Sequence, residues 1–85
     1  MDIEFDPAKS EECREMRGFG FEIAERFVAV LVAEDTRRDY GERRFRAFGT
    51  IDGEKYCLAF TPRNGRARVI SLRRMHDKEA RRYGF

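Results

Sequence analysis

Phe45-Arg46-Ala47-Phe48-Gly49-Thr50-Ile51-Asp52-Gly53-Glu54-Lys55-Tyr56-Cys57-Leu58-Ala59-Phe60-Thr61-Pro62-Arg63-Asn64-Gly65-Arg66-Ala67-Arg68-Val69-Ile70-Ser71-Leu72 contains two turn signals, Asp52-Gly53 and Asn64-Gly65. Both dipeptides favour the type I′ turn, whose twist matches that of paired strands, so the stretch predicts a three-stranded antiparallel meander. Two-residue turns would pair Phe45 with Phe60, Ala47 with Leu58 and Gly49 with Tyr56, then Phe60 with Val69, Leu58 with Ser71 and Tyr56 with Arg73. One face is then Phe45, Ala47, Tyr56, Leu58, Phe60 and Val69, an apolar surface suited to packing helices, with Ser71 and Arg73 finishing its edge. The other carries Arg44, Arg46, Phe48, Cys57, Ala59, Thr61, Arg68, Ile70 and Leu72, with Arg63 and Arg66 beside the turn. Arg44, Thr61 and Arg68 fall in one cross-strand row, where like charges cost stability unless something neutralises them. A one-residue slip exchanges the faces. In the regular register Arg68 and Arg73 lie on opposite faces, and one ligand reaches both only by wrapping the sheet edge.

Upstream, Ile3 and Phe5 alternate with acidic residues and predict a short half-buried strand ended by Asp6-Pro7. Asp as N-cap before Pro starts a helix over Ala8 to Arg17, which Gly18 and Gly20 end. Phe21, Ala24, Phe27, Val28 and Leu31 recur at helical spacing and predict a second helix. Its end is open, because Val28 to Val32 is rich in β-branched residues and reads equally as a strand. A split is placed near Val28. Glu34 to Glu42 reads as a loop, and His76 to Tyr83 as a short basic helix with Asp77 in its first turn and Arg81-Arg82 in its last. The expectation is an α+β fold: N-terminal helices packed on a small antiparallel meander, a C-terminal helix, and one domain over residues 1–85.

Charged residues make up 40% of the chain and aromatics 13%. That composition demands a compact aromatic-aliphatic core under a charged surface and excludes a disordered chain. The charge is uneven. Pro62 to Phe85 has a balance of +6 and Met1 to Thr61 one of −4, within a net +2, an asymmetry that suggests a polyanion partner. The alternative is a basic surface neutralised by the acidic half. Cys13 and Cys57 lie far apart with no histidine at metal spacing, so two buried free thiols are expected, with no metal site and no cofactor. No apolar run is long enough to cross a membrane and the N-terminus lacks the form of a secretory signal, so a cytoplasmic chain is expected.

Ile3-Glu4-Phe5-Asp6-Pro7-Ala8-Lys9, Gly18 and Phe21-Glu22-Ile23-Ala24 at the front, with Thr61-x-Arg63, Arg68-x-Ile70-Ser71-x-Arg73-Arg74, Glu79 and Tyr83 at the back, resemble the BrnT toxins of bacterial type II toxin–antitoxin modules. The resemblance covers nearly the whole chain and is most specific at the back, where its spacing spans a turn, a strand and a helix. It implies a RelE-like fold, metal-independent RNA cleavage that inhibits translation, and neutralisation by a BrnA-like antitoxin that brings operator DNA only through the complex. A homodimer and a heterotetramer with antitoxin both remain open. One position departs from the family pattern: Arg17 stands where the family has histidine, and an arginine stays protonated and cannot serve as a general base.

Metal-free RNA cleavage needs positive charge held against the phosphoryl oxygens. Arg63, Arg68 and Arg73 are the leading candidates, with Lys9 beside them and Tyr83 for proton transfer; Arg17, Arg44, Arg46, Arg66, Ser71, Arg74 and His76 are candidates for RNA binding. Each has a plainer reading. His76 suits an exposed helix start, Tyr83 an aromatic anchoring the last helix, Ser71 a hydrogen-bonding strand residue, and Glu79 a partner of Arg82 or Arg74. A non-catalytic module that docks an acidic antitoxin segment or nucleic acid backbone is the second functional expectation. A stand-alone DNA-binding domain is a distant third, since no recognition-helix pattern is present.

Overall fold

The computed structural model describes residues 1–85. Strand β1 (Ile3–Glu4) leads into helix α1 (Pro7–Arg17), a 3₁₀ helix (Phe21–Arg26), strands β2 (Val28–Glu34), β3 (Phe45–Ile51), β4 (Glu54–Arg63) and β5 (Arg66–Arg74), and helix α2 (Asp77–Arg82). The sheet has five strands in the order β1-β5-β4-β3-β2, with β1 parallel to β5 and every other pair antiparallel. The meander is therefore the centre of a larger mixed sheet. Its extra strands come from the two ambiguous or short segments of the first third.

Both turns form as the dipeptides require, with positive φ at Asp52 (51°), Gly53 (82°), Asn64 (54°) and Gly65 (73°). The β3–β4 register is the expected one. The β4–β5 register is not, because a bulge at Ile70 intervenes: Phe60 still faces Val69, but Ala59 faces Ser71, Leu58 faces Leu72, Cys57 faces Arg73 and Tyr56 faces Arg74. A bulge places an extra residue on one strand and reverses the alternation beyond it. Leu72, expected on the cationic face, is fully buried in the core. Arg73 takes the face that carries Arg68, and Arg74 the core face.

The predicted second helix shrinks to the 3₁₀ turn. Phe21, Ala24 and Phe27 are buried at their helical spacing, but the β-branched run that follows pairs with β3 and leaves Val28 and Leu31 exposed. All seven residues of β2 are exposed. Gly49 opposes Ala29, and the backbone of Val28 passes so close that a Cβ on Gly49 would sit 2.0 Å from the Val28 carbonyl oxygen.

One face of the sheet packs Ile3, Ala47, Ile51, Tyr56, Leu58, Val69 and Leu72 against Cys13 of α1 and Phe21, Ala24 and Phe27. Burial of each large side chain contributes about 1.5–3 kcal/mol. The Asp6 carboxylate caps α1 by accepting from the Ala8 N–H at 2.9 Å, which stabilises a helix by about 1 kcal/mol. The buried faces of α1 are narrow. Ser10 accepts from the Phe21 N–H at 2.8 Å, and Cys13 donates to the Leu72 carbonyl at 3.5 Å. The first ties α1 to the 3₁₀ helix, and the second fixes it alongside the part of β5 that β1 leaves uncovered. On the other face α2 covers Phe48 and Cys57; the Tyr83 ring lies 4.4 Å from that of Phe48. Both cysteines are free and buried, and burial pushes the Cys57 thiol up.

Candidate nucleic-acid interface

The seam between α1 and β5 holds three adjoining depressions. The first, of about 300 Å³, lies at the Asn64-Gly65 turn and is lined by Lys9, Arg44, Thr61, Arg63 and Arg68, with Asp6 and Glu42 among them. The second, of about 140 Å³, is lined by Lys9, Arg17, Ile70 and Ser71, with Glu12, Cys13, Met16 and Phe21 among them. The third, of about 360 Å³, is lined by Arg17, Phe19, Arg73, Arg74 and His76. Lys9 and Ile70 belong to the first two, and Arg17 to the last two, so they form one groove. Seven strand residues, Arg68 to Arg74, give it a length of about 20 Å.

The two ends differ in electrostatics. At the turn, Glu4 of β1 lies 3.4 Å from Arg68 and 3.8 Å from Arg63, Asp2 lies 3.1 Å from Arg66, and Glu42 lies 2.9 Å from Arg44. The parallel pairing of Glu4 with Arg68 puts the carboxylates of Asp2 and Glu4 there, and the loop before β3 brings that of Glu42. They resolve the like-charge row and leave Lys9 as the cation of that cavity without a carboxylate partner. At the far end, Arg73 donates to both oxygens of Glu79 at 2.7 and 2.8 Å, and Arg74 meets Glu54 at 2.9 Å on the exposed surface. Exposed pairs of that kind are worth at most about 1 kcal/mol. Arg17 has no carboxylate partner and is exposed to the cavity.

Glu79 organises this end. Beyond Arg73 it accepts the His76 backbone N–H at 3.0 Å, and its Oε1 lies 3.8 Å from His76 Nδ1. The Arg73 hydrogen bonds hold the Glu79 carboxyl at about 2, against an ordinary value of 4.5, although burial opposes the shift. Because the folded value is depressed, the stabilisation is present above about pH 4.5 and is lost as pH falls towards about 2. Thermal unfolding at about pH 6 and about pH 3 should show this: the gap between the parent and Glu79→Gln will narrow on acidification, and a constant gap would refute the pairing.

The bulge brings Arg73 to the face of Arg68, yet the cavity that Arg73 lines still wraps the end of β5, with Arg74 and Arg17 on the core side. Of the candidates, Lys9, Arg17, Arg44, Arg63, Arg68, Ser71, Arg73, Arg74 and His76 line the groove. Arg66 points to Asp2 outside it. Arg46 and Tyr83 sit around Phe48, outside the groove, the Arg46 guanidinium 5.7 Å from that ring. Glu79 pairs with Arg73 rather than with Arg82 or Arg74. Phe19, whose ring meets that of Tyr56 edge-on at 5.3 Å, is a lining residue that no sequence pattern marked. No cluster of three His, Cys, Asp or Glu side chains is placed to hold a metal ion.

A family model described as "Ribonuclease toxin, BrnT, of type II toxin-antitoxin system" matches residues 5–79. The chain belongs to the BrnT family. Comparison with curated proteins and with solved structures returns no match. The BrnT match spans α1, the whole sheet from β2 to β5 and α2 as far as Glu79, and so contains every residue that lines the groove. Membership in a family of ribonuclease toxins implies an RNA target and an antitoxin partner. No helix is long and apolar enough to cross a membrane.

Proposed function

We propose that this BrnT chain is a metal-independent endoribonuclease that inhibits translation, with a RelE-like arrangement of helices on a sheet and a BrnA-like antitoxin that silences it. The observation that carries the reading is the cavity shared by Arg17, Arg73, Arg74 and His76 at the end of the α1–β5 groove. Cleavage of RNA by its own 2′-hydroxyl builds negative charge on the phosphoryl oxygens, and guanidiniums fixed in place stabilise that charge without reorganising. Arg73 is so fixed by Glu79. Arg17 and Arg74 supply charge from the opposite wall.

The rest of the groove suits a single strand. Lys9, Arg63, Arg68 and Ser71 lie along its length, where a backbone passing through meets cations and a hydroxyl in turn. Phe19 offers a ring beside the reactive end, as proteins that bind single strands commonly do. Because the carboxylates of Asp2, Glu4 and Glu42 already neutralise the turn end, affinity there will be modest.

The test is incubation of bulk RNA with the purified chain in EDTA, beside an Arg17→Ala/Arg74→Ala variant. The parent will cleave, and the variant will be slower by about 10² or more, as for other losses of preorganised charge. An inactive parent would overturn this reading and favour a binding module that uses the groove only to dock antitoxin or nucleic acid backbone.

A further inference from the structure

We propose that His76 is the proton-transferring catalytic residue of this site, with Glu79 as the residue that positions it. The inference rests on the ribonuclease reading above and names the group that reading lacks: a base able to take the 2′-hydroxyl proton. The guanidiniums of the cavity cannot serve, since arginine does not give up its proton in proteins. His76 is the one histidine of the chain, and its side chain opens into the same cavity as Arg17, Arg73 and Arg74. Imidazole is the side chain that exchanges a proton near neutral pH, the range in which general bases are most efficient.

The geometry around it follows from one carboxylate. Glu79 is clamped by both nitrogens of the Arg73 guanidinium and by the His76 backbone N–H, so its Oε1 is held 3.8 Å from Nδ1. A carboxylate at that distance stabilises the imidazolium that forms when Nε2 takes up a proton. The charged groups that face the imidazole are Glu79 of α2, Arg73 and Arg74 of β5, and Arg17 of α1; Asp77 lines a separate depression with Glu54 and Lys55. With Glu79 paired to Arg73 and Glu54 to Arg74, the uncompensated charge at the cavity is that of Arg17.

Nε2 takes the proton of the 2′-hydroxyl, the 2′-oxygen forms a bond to phosphorus, and the bond from phosphorus to the 5′-oxygen breaks, giving a 2′,3′-cyclic phosphate. The departing 5′-oxygen takes a proton from water, which the exposed cavity admits, and the imidazolium returns its proton to the hydroxide so formed. No oxidant, reductant or metal enters.

His76 also caps α2, so the informative variant is His76→Asn, which keeps a favoured N-cap residue and removes the base. RNA cleavage by parent, His76→Asn and Glu79→Gln is followed across pH, with circular dichroism to establish folding. The expected result is a loss of about 10²–10⁴ in rate for His76→Asn, disappearance of the acidic limb of the pH–rate profile, and partial rescue by added imidazole. Glu79→Gln is expected to move that limb while keeping it. A folded His76→Asn that cleaves like the parent, with the same profile, overturns this assignment and leaves the ribonuclease reading standing. A parent that cleaves no RNA overturns both.

Discussion

Arg73→Lys will cut the rate of RNA cleavage by about 10², although it preserves the charge. Lysine is a point charge on a flexible stem and cannot hold the two oxygens of Glu79 in the fork that arginine makes at 2.7 and 2.8 Å. With that fork gone, the cation at position 73 is no longer aimed at the cavity, and Glu79 is left with the His76 N–H as its remaining fixed donor. The structural cost will be small by comparison. One weakened, partly exposed contact is worth about 1 kcal/mol, so melting temperature will fall only modestly. Single-turnover cleavage with thermal unfolding on the same samples tests the point. A rate equal to the parent's would mean that Arg73 acts only as a spacer between sheet and α2.

Gly49→Ala will destabilise the chain by about 3 kcal/mol, at the upper end of what overpacking costs. The added Cβ would lie 2.0 Å from the Val28 carbonyl oxygen, 2.9 Å from its carbon and 3.0 Å from Phe27 Cζ. Two of these atoms are backbone, so no rotamer change relieves the clash, and β2 must move away from β3 or the sheet must bend. For a domain of this size the melting temperature should drop by about 12–24 °C. An unchanged melting temperature would show that β2 does not cross Gly49 as described.

The fold was legible where the signal was local. Asp52-Gly53 and Asn64-Gly65 placed two turns and the whole β3–β4 register, because a type I′ turn needs only two residues that tolerate positive φ. The same logic failed by one residue in β5, since nothing in Arg68-Val69-Ile70-Ser71-Leu72 marks Ile70 as the extra residue. Either alternation buries one large aliphatic and exposes another, and packing against Cys13 and α1 decides between them. Val28 to Val32 was ambiguous for a related reason: a short β-branched run has no period of its own. The pairing of β1 with β5 is remote in sequence and left no local trace beyond Ile3.

Much of the candidate site was legible as a list of cations, and little of it as an arrangement. Arg63, Arg66 and Arg68 stood out because they cluster at a turn, yet Asp2 and Glu4 neutralise them from the other end of the chain. Arg17 and His76 face one cavity from α1 and the start of α2, a proximity that only the folded sheet creates. The partner of Glu79 was missed because Arg73 lies beyond the helix, across the Met75-His76 link, outside the spacing at which helical side chains meet.

In the order of synthesis, the pairing of β1 with β5 sets a clock. Ile3 waits for Ala67 and Glu4 for Arg68, and α1 finds the Leu72 carbonyl only after most of the chain exists. Contacts so remote form late because a long loop must close before they repay its entropy. Arg73, Arg74, His76 and Glu79 lie at or beyond the end of the last strand in chain order. A ribosome adding roughly 5–20 residues per second therefore carries a nascent chain with most of its arginines before β5 and α2 exist to complete the groove.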